Sequence, residues 1–186
     1  RSDNTRHEGQ GSTTGTSLEI ANLDLFKVEP SNTINNAYWE KAYHNIANCN
    51  TVLGHSQVVT NVTLREQYDA EARFIRAYHY FNLVRLFGPT FLVTEEISIA
   101  ESLKKDRSSV QATYAQIIDD LKRSVTDLQD ITYSSNDLGR ATVLAAKSLL
   151  AKVYLTLGRY EDAKPLLSDV AVSYTHLRAH ETRHDL

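Results

Sequence analysis

Apolar side chains recur every three or four residues through most of the chain from about residue 36, and this helical period restricts the fold more than any other feature. Four such stripes can be traced, and each is wide enough to be the buried face of one amphipathic helix. They comprise Trp39, Tyr43, Ile46, Asn50 and Leu53; Ala70, Phe74, Ala77, Phe81 and Val84; Val110, Tyr114, Ile117, Leu121, Val125 and Leu128; and Leu150, Val153, Tyr154 and Leu157. The pattern predicts an all-α fold.

Capping and turn residues predict where the second helix begins and ends. Thr63 and Glu66 have the spacing of a capping box, in which each side chain bonds a free amide at the start of a helix. Gly88-Pro89 is a strong stop signal. The segment from about 88 to 107 is therefore predicted to be a loop, with a possible short extended piece in "TFLVTEEIS".

Capping and terminating residues also predict the bounds of the later helices. Ser108 and Gln111 form a second plausible capping box, and a fourth helix is predicted over about 140–157 with Gly158 as its terminator. A fifth helix begins in "RYEDAKPLLSDV", where Pro165 is expected to disturb the first turns because it lacks an amide hydrogen.

The stretch "LLAKVYLTLGRYEDAKPLL" (149–167) has the arrangement of a tetratricopeptide-type helix pair. Its small residues Ala151 and Ala163 allow paired helices to approach closely, Tyr154 and Tyr160 fill the groove between them, and Gly158 turns the chain. No strict 34-residue repeat is evident in the chain. The sequence thus predicts TPR-like antiparallel helix hairpins rather than a regular array.

Composition excludes several classes of protein. The chain has a net charge of −3, which gives no electrostatic reason to expect nucleic acid as a partner. Cys49 is the only cysteine, so an internal disulfide or a multi-cysteine metal site is impossible, and its helical neighbours favour a core role. Because the sequence contains no methionine, we expect a fragment without its natural start, whose compartment cannot be judged from a missing signal peptide.

Four stretches in this order resemble the N-terminal half of the SusD/RagB family of nutrient-uptake lipoproteins. They are "YWEKAYHNIANCNTVL" (38–53), "EARFIRAYHYFNLVRLFG" (71–88), "RSSVQATYAQIIDDLKRSVTDL" (107–128) and "GRATVLAAKSLLAKVYLTLGRYEDA" (139–163). The turn "GPTFLVT" departs from the V-P-L turn of the family. Any one stretch could occur by chance in a helical protein, whereas all four in register are specific.

The resemblance implies a function that the spacing does not. Family members bind glycans or other oligomeric nutrients at the surface of the outer membrane, as lids of a TonB-dependent transporter, and they catalyse no reaction. Their ligand contacts come largely from loops and from the C-terminal half. The resemblance therefore implies no cofactor, no catalytic residues and ligand-binding residues that stay unknown here. A generic TPR-like scaffold that binds a protein segment is the alternative.

The same reasoning divides the chain into three parts. Residues 1–35 are expected to be a loop-rich N-terminal segment, and 36–171 an incomplete SusD-like helical domain. Residues 172–182, "VSYTHLRAHET", resemble a translated sequencing adapter in all eleven positions, so 172–186 is predicted to be a non-native tail. The signal peptide and lipid anchor of the family are expected to be missing.

The tail also contains "HETRH", which matches the H-E-x-x-H pattern of zinc proteases through His180, Glu181 and His184. A catalytic zinc needs a third protein ligand and an outer shell that orients the imidazoles. Only His176, one turn upstream, could supply that ligand in this tail. We therefore predict no metal site, and we interpret the pattern as a product of the adapter-like sequence.

Other candidate residues have ordinary structural interpretations. An aromatic ring can serve as a platform for a sugar. Trp39 is expected in the core because of its place on a stripe, whereas Tyr38 and Tyr133 are expected to be exposed, and neither is expected to contact a ligand. Three histidines, His44, His55 and His79, share no metal-ligand spacing. Arg73 and Arg76 lie close to Glu71 in the sequence and are expected to form a structural ion pair or to be solvated. No glycine-rich phosphate loop or G-x-S-x-G turn is present.

Overall fold

The computed structural model describes residues 15–27, 29–134 and 137–184, with side chains left out for 16, 17, 24 and 174–184. The α-helices are α1 (Gly15–Asp24), α2 (Thr33–His55), α3 (Val62–Phe87), α4 (Ile99–Ser102), α5 (Val110–Asp127), α6 (Val143–Thr156) and α7 (Tyr160–His184), and a 3₁₀ turn covers Ser56–Val58. The described ranges contain no strand, only an isolated antiparallel bridge between Thr90 and Ser108. The prediction of an all-α, TPR-like fold is confirmed.

The chain divides into two compact units, residues 1–44 and 45–186. In the first unit, the segment that we expected to be loop-rich contains α1 and the start of α2. The Glu19 carboxylate accepts hydrogen bonds from the amide and hydroxyl of Thr33, while the Asn32 side chain accepts from the Asn35 amide at 3.1 Å. The bonds between Thr33 and Glu19 attach the beginning of α2 to α1, whereas the bond between Asn35 and Asn32 lies within the start of α2 itself.

The aromatic residues near the start of α2 differ from expectation. Trp39 is only partly buried, and its ring lies 4.9 Å from that of Tyr43. Tyr38, expected to be exposed, is also partly buried. The fully buried face of α2 is instead formed by Ala42, Ile46, Cys49 and Asn50, a stripe displaced around the helix from the one predicted.

In the second unit, α3 packs against α5, α5 against α6, and α6 against α7. The large fully buried side chains at the centre of this array are Tyr80, Phe81, Leu83, Ile117, Leu121, Leu128 and Val153. Most of them lie on the predicted stripes, but Tyr80 and Leu83 do not, and Phe74, predicted to face inward, is only partly buried. Each fully buried side chain contributes about 1.5–3 kcal/mol by leaving water. Leu157, predicted to face inward, is 39% exposed because α6 ends one residue before it.

The helix caps correct two predictions. The N-cap of α3 is Asn61, whose side chain accepts from the Leu64 amide, so the capping box predicted at Thr63 and Glu66 is wrong. The N-cap of α5 is Ser109 rather than Ser108, whose amide instead donates to the Thr90 carbonyl at 2.7 Å.

A complete capping box occurs where none was predicted, at Ser98 and Glu101 of α4. The predicted stops are confirmed, since Gly88 and Gly158 both have a φ of +71°, a left-handed conformation that glycine adopts without strain. Pro165 lies inside α7, which continues through it without a break. None of the described helices is long and apolar enough to cross a membrane.

Candidate ligand-binding groove

A groove of about 420 Å³ lies in the second unit, between the part of α2 that begins at Asn45 and the first half of α3. Its apolar lining consists of Cys49 and Val52 from α2 and Ala72 and Ile75 from α3. The volume is within the range of small-molecule sites, which are typically apolar clefts with a few polar groups. We therefore consider this groove the candidate site.

Four polar side chains complete the lining: Asn45 and Asn48 from α2, and Tyr68 and Glu71 from α3. On each helix the lining residues follow steps of three, one and three, so they lie on one face. Asn45 directs its amide nitrogen to Nε2 of His79 at 3.1 Å. The groove therefore combines an apolar floor with amide, phenol and carboxylate groups at its edges.

Glu71 is the one charged residue in the lining, and Arg140 neutralises it. The guanidinium donates from Nε to Oε1 at 3.0 Å and from Nη2 to Oε2 at 2.7 Å, a bidentate pair. Gln67 also donates to Oε1, at 3.1 Å. The Arg140 guanidinium lies 5.4 Å from the ring centre of Tyr68. The loop between α5 and α6 is thereby attached to one end of the groove.

Tyr133, expected to be exposed, is partly buried beside this pair. Its hydroxyl lies 2.8 Å from Oε1 of Glu71 and 2.6 Å from the carbonyl oxygen of Ala141. Burial and, next, the hydrogen bond to the Glu71 carboxylate raise the pKa of Tyr133 to about 12. The side chain therefore holds the loop in place, and its hydroxyl is already bonded within the protein.

A buried polar network behind the groove fixes α2, α3 and the loop after α3. Nη1 of Arg76 donates to Oδ1 of Asn50 and to the Thr94 carbonyl, both at 2.8 Å, while its Nε and Nη2 donate to Asp120. The Asn50 amide donates in turn to the Val93 carbonyl at 3.1 Å. Of the two alternatives predicted for Arg76, an ion pair or a solvated side chain, the structure shows the ion pair, but its partner is Asp120, whereas Glu71 pairs with Arg140.

The three histidines His44, His55 and His79 have different surroundings, and His79 is the one bonded to Asn45. His44 is exposed, and His55 pairs through Nε2 with Glu96 at 2.9 Å. Among the described residues, no group of three or more histidine, cysteine, aspartate or glutamate side chains could hold a metal ion. The side chains of the "HETRH" pattern and of His176 lie outside the described residues.

Cys49 lines the groove but is 5% exposed. Burial raises the pKa of its thiol to about 11, outweighing the opposing charge of Arg76. The thiol is therefore protonated at neutral pH, whereas nucleophilic and metal-binding cysteines act as thiolates. This chemistry agrees with the core role that its sequence neighbours predict.

A second cavity, of about 470 Å³, lies where α5, α6 and α7 meet. Its rim carries both signs of charge, from Lys122, Glu161 and Asp162. Asp162 is held by Nε of Arg159 at 2.7 Å, a contact between neighbouring turns at the start of α7. The mixture of partly paired charges makes this cavity a weaker candidate for a small ligand than the first groove.

Sequence reasoning did not identify Asn45, Asn48 or Tyr68. On one face of each helix two polar residues are followed by two apolar ones, and this signal becomes visible only when α2 and α3 are known to be neighbours. No local motif marks such a face.

Comparison with known proteins places this architecture in one family. Residues 2–155 match the SusD-like family model described as "Starch-binding associating with outer membrane". A SusD-like protein of Bacteroides ovatus is 31% identical over 121 residues, which are 63% of this chain and 21% of that protein. SusD-like protein P2 of Formosa agariphila is 29% identical over 151 residues, which are 80% of this chain and 29% of the relative.

Solved structures indicate the same family. A laminarin-binding SusD-like protein superposes with a TM-score of 0.76 at 31% identity, covering 82% of this chain and 33% of the other. A SusD superfamily protein from Parabacteroides distasonis superposes with a TM-score of 0.74 at 30% identity, covering 83% of this chain and 35% of the other. A structure with a xylogluco-oligosaccharide superposes with a TM-score of 0.68 at 27% identity, covering 78% of this chain and 31% of the other.

The chain thus spans between about a fifth and a third of the length of these proteins. The family model nevertheless matches well over half of the chain, and the described helices follow the fold of the solved relatives. The chain belongs to the SusD-like family.

Proposed function

We propose that this chain is part of a non-catalytic component that binds oligosaccharides at the cell surface and takes part in their uptake. The observation that carries the proposal is the family match over residues 2–155, whose description names starch binding and the outer membrane. Two of the similar structures are of a laminarin-binding protein and of a complex with a xylogluco-oligosaccharide. Neutral glucans are therefore the first ligands to test.

The chemistry of the groove supports a binding role. Its edge presents amide and phenol groups, its floor is apolar, and the one thiol in the lining is held protonated by burial. Such a surface suits reversible binding of a molecule with both hydroxyl groups and apolar faces. Nucleophilic catalysis, by contrast, needs a group that is activated by a neighbouring base or by a lowered pKa.

Isothermal titration calorimetry of the 186-residue chain with laminarin oligosaccharides, xyloglucan oligosaccharides and maltooligosaccharides tests the proposal. We expect saturable binding to at least one of these neutral glucans, with the intact ligand recovered afterwards. Absence of binding to all three, or recovery of hydrolysed ligand, would contradict it. Heat-denatured protein under the same conditions controls for nonspecific heats of dilution.

We further propose a TonB-dependent, SusC-like outer-membrane transporter as partner, and anchoring as a surface lipoprotein. The complete reading frame and its neighbours test both. A lipoprotein signal with its acylated cysteine upstream, next to a gene for a TonB-dependent transporter, is the expected arrangement. A frame with no such signal and with further regular helical repeats would favour the alternative, a TPR-like scaffold for protein partners.

A further inference from the structure

We infer that the groove between α2 and α3 is a subsite for a short stretch of a neutral glycan, with Asn48 and Tyr68 as its hydrogen-bonding residues. This inference rests on the proposed function and names a site for it. It concerns only residues of the second unit, on α2 from Asn45 onward and on α3.

The polar groups at the edge of the groove have unused hydrogen-bonding capacity. Within the part of the chain that the structure describes, the Asn48 amide and the Tyr68 hydroxyl make no hydrogen bond, although both line the groove. An amide offers two donors and an acceptor, and a phenol offers one donor and an acceptor. Together they can serve neighbouring sugar hydroxyls, each of which also both donates and accepts.

The floor of the groove matches the other side of a sugar ring. Val52 and Ile75 are 44% and 43% exposed, and Tyr68 contributes a partly exposed aromatic ring beside them. A pyranose has an apolar face of C–H groups that loses little by leaving water. Contact with these side chains removes apolar area from water on both partners, worth about 25 cal/mol per Å².

Electrostatics favours a neutral occupant. The one ionised side chain in the lining, Glu71, is held by the bidentate pair with Arg140. A charged peptide or an anionic polysaccharide would be desolvated in the groove without meeting an unpaired opposite charge, which is unfavourable. An uncharged glycan avoids this cost.

The groove is also fixed in shape before any ligand arrives. Asn50, next to Cys49 of the floor, is bonded to Arg76 of α3, and Glu71 is bonded to Arg140. Contacts on both sides therefore hold the two walls in place. A preformed site avoids the free energy of ordering side chains during binding.

Calorimetry of Asn48→Ala and Tyr68→Phe with the neutral glucan that binds most tightly tests the inference. Tyr68→Phe removes only the hydroxyl and keeps the ring beside Arg140. We expect each to weaken binding about 2- to 10-fold, the loss of one hydrogen bond. Asn48→Trp, which fills the groove, should weaken binding at least about 10-fold.

The matched controls are Gln111→Ala and Tyr160→Phe, which change exposed side chains of the same chemistry on α5 and α7. They should bind like the wild type, and circular dichroism should give the same helical signal for every variant. If the wild type binds a glucan and the groove variants bind equally well, the groove is covered by protein or left empty, and the inference is wrong while the proposed function stands. If the wild type binds no glucan, both fail.

Discussion

Arg76 and Asp120 form a bidentate ion pair between α3 and α5, with Nε to Oδ2 at 2.9 Å and Nη2 to Oδ1 at 2.7 Å. Their side chains are 5% and 1% exposed. Further hydrogen bonds surround the pair, because Nη1 of Arg76 donates to Asn50 and Thr94 while Gln116 donates to Oδ1 of Asp120 at 3.1 Å. A buried ion pair with several further hydrogen bonds fixes the register of the helices that carry it.

We predict that Asp120→Asn lowers the free energy of unfolding by about 3–5 kcal/mol, since it leaves the Arg76 charge buried without a counter-charge. Urea unfolding followed by circular dichroism measures this change. Asp119→Asn is the matched control, because Asp119 forms a surface pair with Arg123, with side chains 52% and 59% exposed. The control should lose less than about 1 kcal/mol. Equal losses in the two variants would show that burial of the pair has no special effect.

The start of α3 gives a second prediction. The Asn61 side chain accepts from the Leu64 amide at 3.0 Å, so Asn61→Ala should cost about 1 kcal/mol of stability. Thr63→Ala should cost nothing, because Thr63 is an exposed residue inside the helix rather than its cap and alanine has the higher helix propensity. Chemical denaturation of both variants decides between the cap in the structure and the one that the sequence suggests. A larger loss for Thr63→Ala would favour the sequence-based cap.

The two displaced caps show what sequence can and cannot resolve. Thr63 and Ser108 are residue types that cap helices, and better-placed residues, Asn61 and Ser109, lie within two positions of them. Periodicity identifies the helix because it extends over many residues, but the choice of cap depends on the path of the preceding loop. Ser108, for example, is engaged by the Thr90 carbonyl, a partner 18 residues away.

The groove was less predictable than the helices for a related reason. Glu71 and Arg140 are 69 residues apart, and Arg76 and Asp120 are 44 apart. Local spacing suggested that Arg76 pairs with Glu71, but the actual partners come from other elements. Pairings of this kind follow from which helices are neighbours, and that information is not contained in any one stretch of sequence.

The thiol of Cys49 should react only when the protein unfolds. Burial raises its pKa to about 11, so less than about 1% is thiolate at pH 8. We expect slow labelling by 5,5′-dithiobis(2-nitrobenzoic acid) in buffer and rapid labelling in urea. Because the chain has no other cysteine, the measured absorbance reports this residue alone. Fast labelling of folded protein would show that the α2–α3 groove opens readily.

Zinc content tests the interpretation of the tail. We predict substoichiometric zinc, measured by inductively coupled plasma mass spectrometry, in both the 186-residue chain and a version ending at Ala171. The prediction follows from the adapter-like sequence of this tail and from the third protein ligand and outer shell that a catalytic zinc needs. One equivalent of zinc that disappears with residues 172–186 would overturn it.

His79 makes stability depend on pH in a definite direction. The amide nitrogen of Asn45 donates to Nε2, which places the proton of the neutral ring on Nδ1, a buried atom without a hydrogen-bond partner in the described part of the chain. Burial lowers the pKa of His79 below its ordinary value of 6.5. Below pH 6.5 the unfolded chain therefore binds a proton that the folded protein binds less readily.

The contribution of neutral His79 to the free energy of unfolding is therefore fully present above about pH 6.5. It falls as the pH is lowered toward the folded-state pKa, by at most about 1.4 kcal/mol per pH unit. We predict that His79→Gln reduces this slope between pH 7 and 5, because glutamine cannot bind the proton that stabilises the unfolded chain. Urea unfolding at closely spaced pH values measures the slope for wild type and variant. The comparison does not depend on the absolute stability of the variant, since a lost contact shifts its whole curve without tilting it. An unchanged slope would mean that His79 takes up its proton equally well in the folded protein, for which Asn45 would have to turn its carbonyl oxygen toward Nε2.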